Sequence, residues 1–349
     1  MPKMNFESLE KRLAAAARRF ISPDEADYFA SLYMETHLKK SPRMNPLAEA
    51  VADLAVWDKQ AIHDVTLLVD KGAVTVMDFN GLAPSLKIKA VHDTLADRAR
   101  RFGLAAVGFR NSSGVITLNM WAAGLARRDL IGIAMFNGGT GCAVPFGGTR
   151  GVLGTNPLAY AIPTAGDPMV LDMATTEIPF FEIKNAREKG TPLRSHVAVD
   201  SHGQPTTDAK AALSEDGVAN LLPIGGGFKG FGITLLIEVL SGALVQSLLS
   251  TDQTPGWHPH EYGCLILALD IATFTDRDAF KDAVSDMCRN LRNETPADGV
   301  ERVAIPGDRG HEKLKMARKH KKIDIEDTWI DALNRLDPKG YVIPTIKLT

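Results

Sequence analysis

Short apolar runs that alternate with segments of helical period constrain this chain most. Residues 73–79 ("AVTVMDF") are rich in β-branched side chains and end at Asn80-Gly81, a strand running into a tight turn. Residues 86–102 then repeat apolar side chains at helical spacing, and residues 104–110 ("LAAVGFR") form the next apolar run. Another helix over residues 121–128 and another strand over residues 130–137 ("LIGIAMFN") follow. Residues 158–163, 168–175 and 263–271 are three further strand candidates. Such alternation builds a layered α/β architecture. Gly147, Gly148, Gly154, Pro157 and Gly166 punctuate it as loops, not linkers.

Ahead of this module, residues 1–55 read as helices. Leu9, Leu13 and Phe20, then Ala26, Phe29, Leu32 and Tyr33, recur at helical spacing. Residues 22–25 ("SPDE") supply an N-cap, a proline at the first helical position and first-turn acids. Residues 311–336 read as a charged helix, a basic patch that is a solvated face, and an amphipathic helix.

Among 349 residues, 40 are basic and 42 acidic, which leaves a net charge of −2 and no pull toward nucleic acid or an anionic membrane. Residues 233–249 form the longest apolar stretch, interrupted by Glu238, Ser241, Gln246 and Ser247. It falls short of the roughly 20 residues a bilayer needs, so a buried helix is expected there. The first twenty residues carry Glu7 and Glu10 among their basic side chains and lack a signal-peptide pattern, which makes the cytoplasm the expected location. Cys142, Cys264 and Cys288 have no CxxC spacing and read as small buried hydrophobes. His258, His260 and Glu261 offer metal-ligand chemistry, but Pro259 separates the imidazoles and no distant third ligand is evident, so no metal is expected.

Three loops carry candidate chemistry. Residues 224–232 ("IGGGFKGFG") contain Gly225-x-Gly227-x-x-Gly230, the spacing of a dinucleotide fingerprint. A Rossmann reading fails: Pro223 interrupts the run before it, and no acid closes a strand about 20 residues later. A P-loop reading fails too, because Gly230 follows Lys229 where Ser or Thr is required. What remains is a glycine run that brings backbone N–H groups and Lys229 to a helix start, suited to a phosphate or carboxylate, or else a packing turn. In residues 151–163 ("GVLGTNPLAYAIP"), Thr155 and Asn156 stand before a proline at the mouth of a strand, either orienting a ligand or forming a structural turn. In residues 170–183 ("VLDMATTEIPFFEI"), a strand ends in Asp172 and is followed by hydroxyls and Glu177. Acids and hydroxyls at strand ends suit ribose or amide recognition. Phe180 and Phe181 either narrow a pocket or pack in the core.

Together, Gly154-Thr-Asn-Pro, Leu171-Asp-Met-Ala-Thr and Gly227-Phe-Lys-Gly-Phe-Gly, with "IPGDR" at residues 305–309, resemble the type-2 malate/L-lactate dehydrogenase family. That family includes sulfolactate and ureidoglycolate dehydrogenases, diketogulonate reductase and cyclic-imine reductases. The resemblance runs over residues 22–336. It implies an α/β fold with a mixed, non-Rossmann sheet, helical segments at both ends, and a homodimer. It also implies NAD or NADP as cofactor and a small carboxylate as substrate. The implied organisation is a helical segment 1–72 carrying the catalytic histidine, an α/β segment 73–116 packing with the C-terminal part, an NAD(P)-binding domain 117–290, and a segment 291–349 returning to the first domain.

Carried over by motif, the cofactor contacts are Asp172, Met173, Ala174 and Thr175; Phe228 and Lys229; and Pro306, Gly307 and Asp308. Val115, Ile116, Thr117 and Leu118 join them from the loop before the second helix. Thr155 matches a position that touches substrate in the imine reductases. The family's proton-donating histidine matches His37, with Thr36 in place of its serine and Leu38 in place of its glycine. Ser41 stands where a carboxylate-binding arginine is expected, so Lys39, Lys40 or Arg43 takes the charge role. Glu182 falls near the place of an aspartate that orients the histidine in the imine reductases, which suggests a Thr36–His37–Glu182 relay. Gly114, in "NSSGVITL" (residues 111–118), replaces a histidine that normally lies beside nicotinamide and substrate. Its loss implies a changed substrate, a bulkier ligand or weakened catalysis. Hydride transfer to a 2-oxo acid, reduction of a cyclic imine, and a cofactor-binding relative with little activity all remain open at this point.

Overall fold

The structure, a computed structural model, describes residues 3–39, 45–60, 64–115, 117–253, 261–320, 322–324, 331 and 334. In chain order its strands are β1 (Lys3–Asn5), β2 (Thr66–Lys71), β3 (Val74–Asp78), β4 (Leu104–Ser112), β5 (Leu130–Phe136), β6 (Thr140–Ala143), β7 (Leu158–Ile162), β8 (Met169–Met173), β9 (Tyr262–Asp270) and β10 (Lys322–Asp324). Its helices are α1 (Phe6–Ala17), α2 (Pro23–Lys39), α3 (Pro46–Lys59), α4 (Ile88–Phe102), α5 (Asn119–Ala126), α6 (Phe180–Lys189), α7 (Ala209–Ala212), α8 (Phe228–Ser241), α9 (Ile271–Phe274), α10 (Arg277–Arg292) and α11 (Asp308–His320). The chain divides into two compact units. One comprises Met1–His63, Ser85–Ala90 and Asp308–Thr349, and the other Asp64–Pro84 and Val91–Gly307.

The first unit is helical. Asn5 caps α1 by accepting the N–H groups of Glu7 and Ser8 at 2.8 and 3.2 Å. At the start of α2 the expected signal is realised in both directions: Glu25 Oε2 accepts the Ser22 N–H at 3.1 Å, and Ser22 Oγ accepts the Glu25 N–H at 3.4 Å. Leu9 and Leu13 of α1, Phe29, Leu32 and Met34 of α2, and Leu54 and Trp57 of α3 form a fully buried core. α11 packs along α2, and β1 pairs antiparallel with β10.

The second unit is built on a seven-stranded mixed sheet in the order β2-β3-β4-β9-β5-β7-β8. All six apolar runs read as strands belong to it, and β2 is the addition. Only the β3–β4 ladder is parallel, and α4 lies between those strands in sequence as the connection a parallel pair needs. Every other ladder of this sheet is antiparallel. β9 inserts between β4 and β5 although about 150 residues separate it from β4, and its Cys264, Ile266 and Ala268 are buried on the sheet axis. α5, with every residue from Met120 to Ala126 buried, packs on β5, β7 and β8.

α8 departs from the buried helix expected over residues 233–249. Its Gly230, Thr234, Ile237, Glu238 and Ser241 face inward against β5 and β9, whereas Leu235, Leu236 and Val239 are 43%, 55% and 48% exposed. A helix apolar all round carries no hydropathic sign of which face packs inside. Here the inward face is the smaller and more polar one.

Candidate active site

Within the second unit the three motif loops lock onto one another. Thr175 donates both its N–H and its hydroxyl to Thr155 O, at 2.9 and 3.1 Å. Ile224 N–H reaches Thr175 O at 2.9 Å, and Gly225 N–H reaches Glu177 Oε1 at 2.6 Å. The Gly-Thr-Asn-Pro loop, the Asp-Met-Ala-Thr-Thr strand end and the glycine run thus form one surface. Val170 N–H donates to Pro306 O at 3.0 Å, which joins the segment ending at Pro306 and Gly307 to the edge strand carrying Asp172.

Three glycines of the run meet two different needs. Gly225 and Gly226 take left-handed φ values of 72° and 63°, and a Cβ on either would meet no atom within 4 Å, so this backbone is open to approach. Gly230 is needed for closeness, because a Cβ there would lie 1.9 Å from Ile224 O. α8 then starts with exposed Phe228 and Lys229, and the Phe228 ring meets Phe146 edge-on at 6.2 Å. Phe146 had no signal in the sequence beyond being aromatic in a glycine-rich turn.

Asp172 stands at the end of β8, partly buried, and its carboxylate accepts the Asn119 N–H at 2.8 Å. Burial pushes its pKa up to about 6, with amide bonds from Asn119 and Leu118 pulling the other way. Val115, Thr117 and Leu118, just ahead of Asn119 in sequence, are buried, and Met173 and Ala174 are half-buried. Ile116 lies outside the described residues. Gly114 has a φ of 115°, outside the range a residue with a side chain readily adopts. The backbone is therefore shaped around glycine at the site where the family resemblance implies histidine.

The first unit carries His37, 5% exposed, and Thr36, 6% exposed, in the last turn of α2. One turn earlier, Tyr33 donates its hydroxyl to Asp53 Oδ2 at 2.6 Å, and Ser85 donates to the same oxygen. Burial pushes Asp53 up to about 6 and, with the Asp53 charge, raises Tyr33 well above its ordinary value. Lys39 pairs with Glu35 at 2.6 Å one turn back, so its ammonium is already engaged. Asp308 opens α11, and a Cβ on Gly310 would meet Lys39 Cβ at 3.5 Å. Lys40 and Arg43 lie outside the described residues. Glu182 occupies the first turn of α6 in the second unit. Phe180 packs against the buried cluster of Ile178, Ile183 and Ala186, which favours its core reading.

The three cysteines are free and buried, as the sequence suggests. His258 and His260 lie outside the described residues, and among those described no group of three or more His, Cys, Asp or Glu can hold a metal ion. In the sequence Glu238, the one acid within α8, reads as a mere interruption of an apolar run. It is 3% exposed and accepts hydrogen bonds from Asn137, Asn156 and Ser250.

Oxidoreductases share this architecture end to end. The structure of Δ1-piperideine-2-carboxylate reductase from Pseudomonas syringae pvar. tomato superposes with a TM-score of 0.79, at 25% identity, covering 96% of this chain and all (100%) of that one. That of sulfolactate dehydrogenase from Methanocaldococcus jannaschii gives a TM-score of 0.82 at 25% identity, covering 97% of each chain. In sequence, the L-sulfolactate dehydrogenase of that organism is 30% identical over 320 residues, 90% of each protein. Malate dehydrogenase from Pyrococcus abyssi is 32% identical over 221 residues, 61% of this chain and 60% of the other. The malate/L-lactate dehydrogenase family profile matches residues 4–334, and the chain belongs to that family.

Proposed function

We propose that the protein is an NAD(P)H-dependent oxidoreductase that moves a hydride between nicotinamide and C2 of a small 2-oxo or 2-hydroxy acid. The interlocking of the Thr155, Asp172–Thr175 and Gly225–Lys229 segments carries this reading. A dinucleotide fits their chemistry: an open glycine backbone and an exposed lysine at a helix start suit its phosphates, and the acid at the end of β8 suits ribose or carboxamide. Nicotinamide supplies or accepts the hydride at its C4.

The chain's own residues do the rest. His37 gives the proton to the oxygen at C2, or takes it in the reverse direction, with Thr36 beside it in the same helix turn. Thr155 donates its hydroxyl to the substrate carboxylate. A cation completes the carboxylate site, and because Lys39 is held by Glu35, Lys40 or Arg43 is the better candidate. Met173 and Ala174, with Pro306, Gly307 and Asp308, would hold the cofactor. The protein acts in the cytoplasm and as a homodimer, and the exposed apolar face of α8 supports self-association.

Likeness to a piperideine-carboxylate reductase supports a second reading, reduction of a cyclic 2-imino acid, with His37 then serving the ring nitrogen. The first experiment is titration of NADH and NADPH with protein, followed by nicotinamide fluorescence. Absence of any change with either cofactor would overturn both readings. Steady-state rates across pyruvate, oxaloacetate, 2-oxoglutarate, an aryl-pyruvate and Δ1-piperideine-2-carboxylate then separate them.

A further inference from the structure

We propose that Glu238, inside α8, is a positioning residue that holds Thr155 in place through Asn156. The proposal rests on the reading of Thr155 as a substrate contact. Glu238 is 3% exposed, and all its donors are neutral: Asn156 Nδ2 at 2.7 Å and the Ser250 hydroxyl at 2.8 Å on Oε2, Ser250 N–H at 2.6 Å and Asn137 Nδ2 at 3.2 Å on Oε1. A buried carboxylate satisfied by four neutral donors is costly to assemble and intolerant of change, because any replacement that lacks one or both oxygens leaves buried donors without an acceptor.

Those donors come from the segments that shape the loop. Asn156 is fully buried with a left-handed φ of 36°, a conformation its side chain must hold. Its Nδ2 also donates to Thr234 O at 3.1 Å, and its Oδ1 accepts Gly138 N–H at 3.1 Å. Ser250 Oγ accepts Gly154 N–H at 3.2 Å and lies 2.6 Å from Gly139 O. Residues on both sides of Thr155 are therefore tied to Glu238, one directly and one through Ser250. The far side is tied as well: Asn137 Oδ1 accepts from Gln253 Nε2 at 3.0 Å. α8 itself rests on β5 and β9 through Ile237, Met135 and Leu265 and does not need the carboxylate for its own packing. Loss of the carboxylate thus releases the Thr155 loop while leaving the helix, and Lys229 at its start, where they are.

Kinetics separates this role from a general structural one. In Glu238→Gln the new amide offers one acceptor and turns a donor on Asn156 or Ser250. The expected result is a rise of roughly tenfold to a hundredfold in KM for the best 2-oxo acid of the panel, with NADH affinity changed less than about threefold. If Glu238→Gln does not fold, Ser250→Ala deletes one hydroxyl bond and the Gly154 acceptor, and the same KM-selective loss is expected at a smaller size. Unchanged KM in folded Glu238→Gln or Ser250→Ala overturns the proposal, as does equal loss of NADH affinity and KM. A wild type that binds neither cofactor, or binds but reduces no member of the panel, overturns the proposal together with the functional reading. An active wild type whose KM ignores Glu238 overturns the proposal alone.

Discussion

The Asp172 carboxylate accepts the backbone N–H of Asn119 at 2.8 Å, so the end of β8 supplies the cap that α5 lacks in its own sequence. Leu118 holds the N-cap position of α5 and offers no side-chain acceptor. The residue that the family resemblance assigns to the cofactor thus also holds the backbone at Leu118 and Asn119, where a second stretch assigned to the same cofactor ends. One carboxylate serves both ends of that surface.

That arrangement has a pH signature. Burial raises Asp172 from 3.8 to about 6, so its contribution favours the folded protein fully below pH ~4 and is lost as pH rises toward 6. Asp172→Asn removes the titration. Stability of the variant relative to wild type should rise between pH 4 and 7, by on the order of 1–3 kcal/mol, read from urea midpoints at each pH. A relative stability that stays flat across this window would contradict burial as the cause. Nucleotide titrations should show weakened NADH or NADPH binding in the same variant.

Gly114 supports a second prediction. At φ 115°, a side chain is strained whatever space surrounds it. Gly114→Ala should lower stability by about 1–2 kcal/mol, and Gly114→His should lower it at least as much without raising kcat. Thermal unfolding and turnover on the panel substrates check both. A faster Gly114→His enzyme would mean that the loop accommodates histidine after all.

His37 is 5% exposed on α2. As proton donor at C2, its replacement by alanine should lower kcat by roughly 10²–10⁴ while NADH affinity changes by less than about twofold. Asn in its place keeps much of the shape but none of the acidity, and should be equally slow. Full activity in either variant would remove His37 from the mechanism.

Much of the sheet was legible because its inner strands are short apolar runs bounded by turn residues. β2 was not, since Leu67 and Leu68 are adjacent, 54% and 41% exposed, and give no alternation to read. Nor was the central place of β9, because pairing across some 150 residues leaves no local trace. Thr155, Asp172 and Lys229 stood out as loop chemistry beside glycine and proline. Glu238 did not, because what makes it matter is the set of donors that tertiary folding brings to it. Its one local sign was a lone acid in a long apolar helix.

The outer face of α8 yields the last prediction. Leu235, Leu236 and Val239 of α8 are 43%, 55% and 48% exposed, and Leu244 and Leu248, just beyond its end, are exposed as well. Water-facing strips of this kind are covered in a working protein, and a second copy offers an identical apolar surface to cover it. Sedimentation should therefore report a dimer at micromolar concentration, and Leu236→Glu, which sets two like charges across a two-fold contact, should shift it toward monomer. The substitution points away from the Glu238 network, so the monomer should keep its fold by circular dichroism. A dimer unaffected by Leu236→Glu would assign the contact to another surface, and a monomeric wild type would leave α8 facing something other than its own copy.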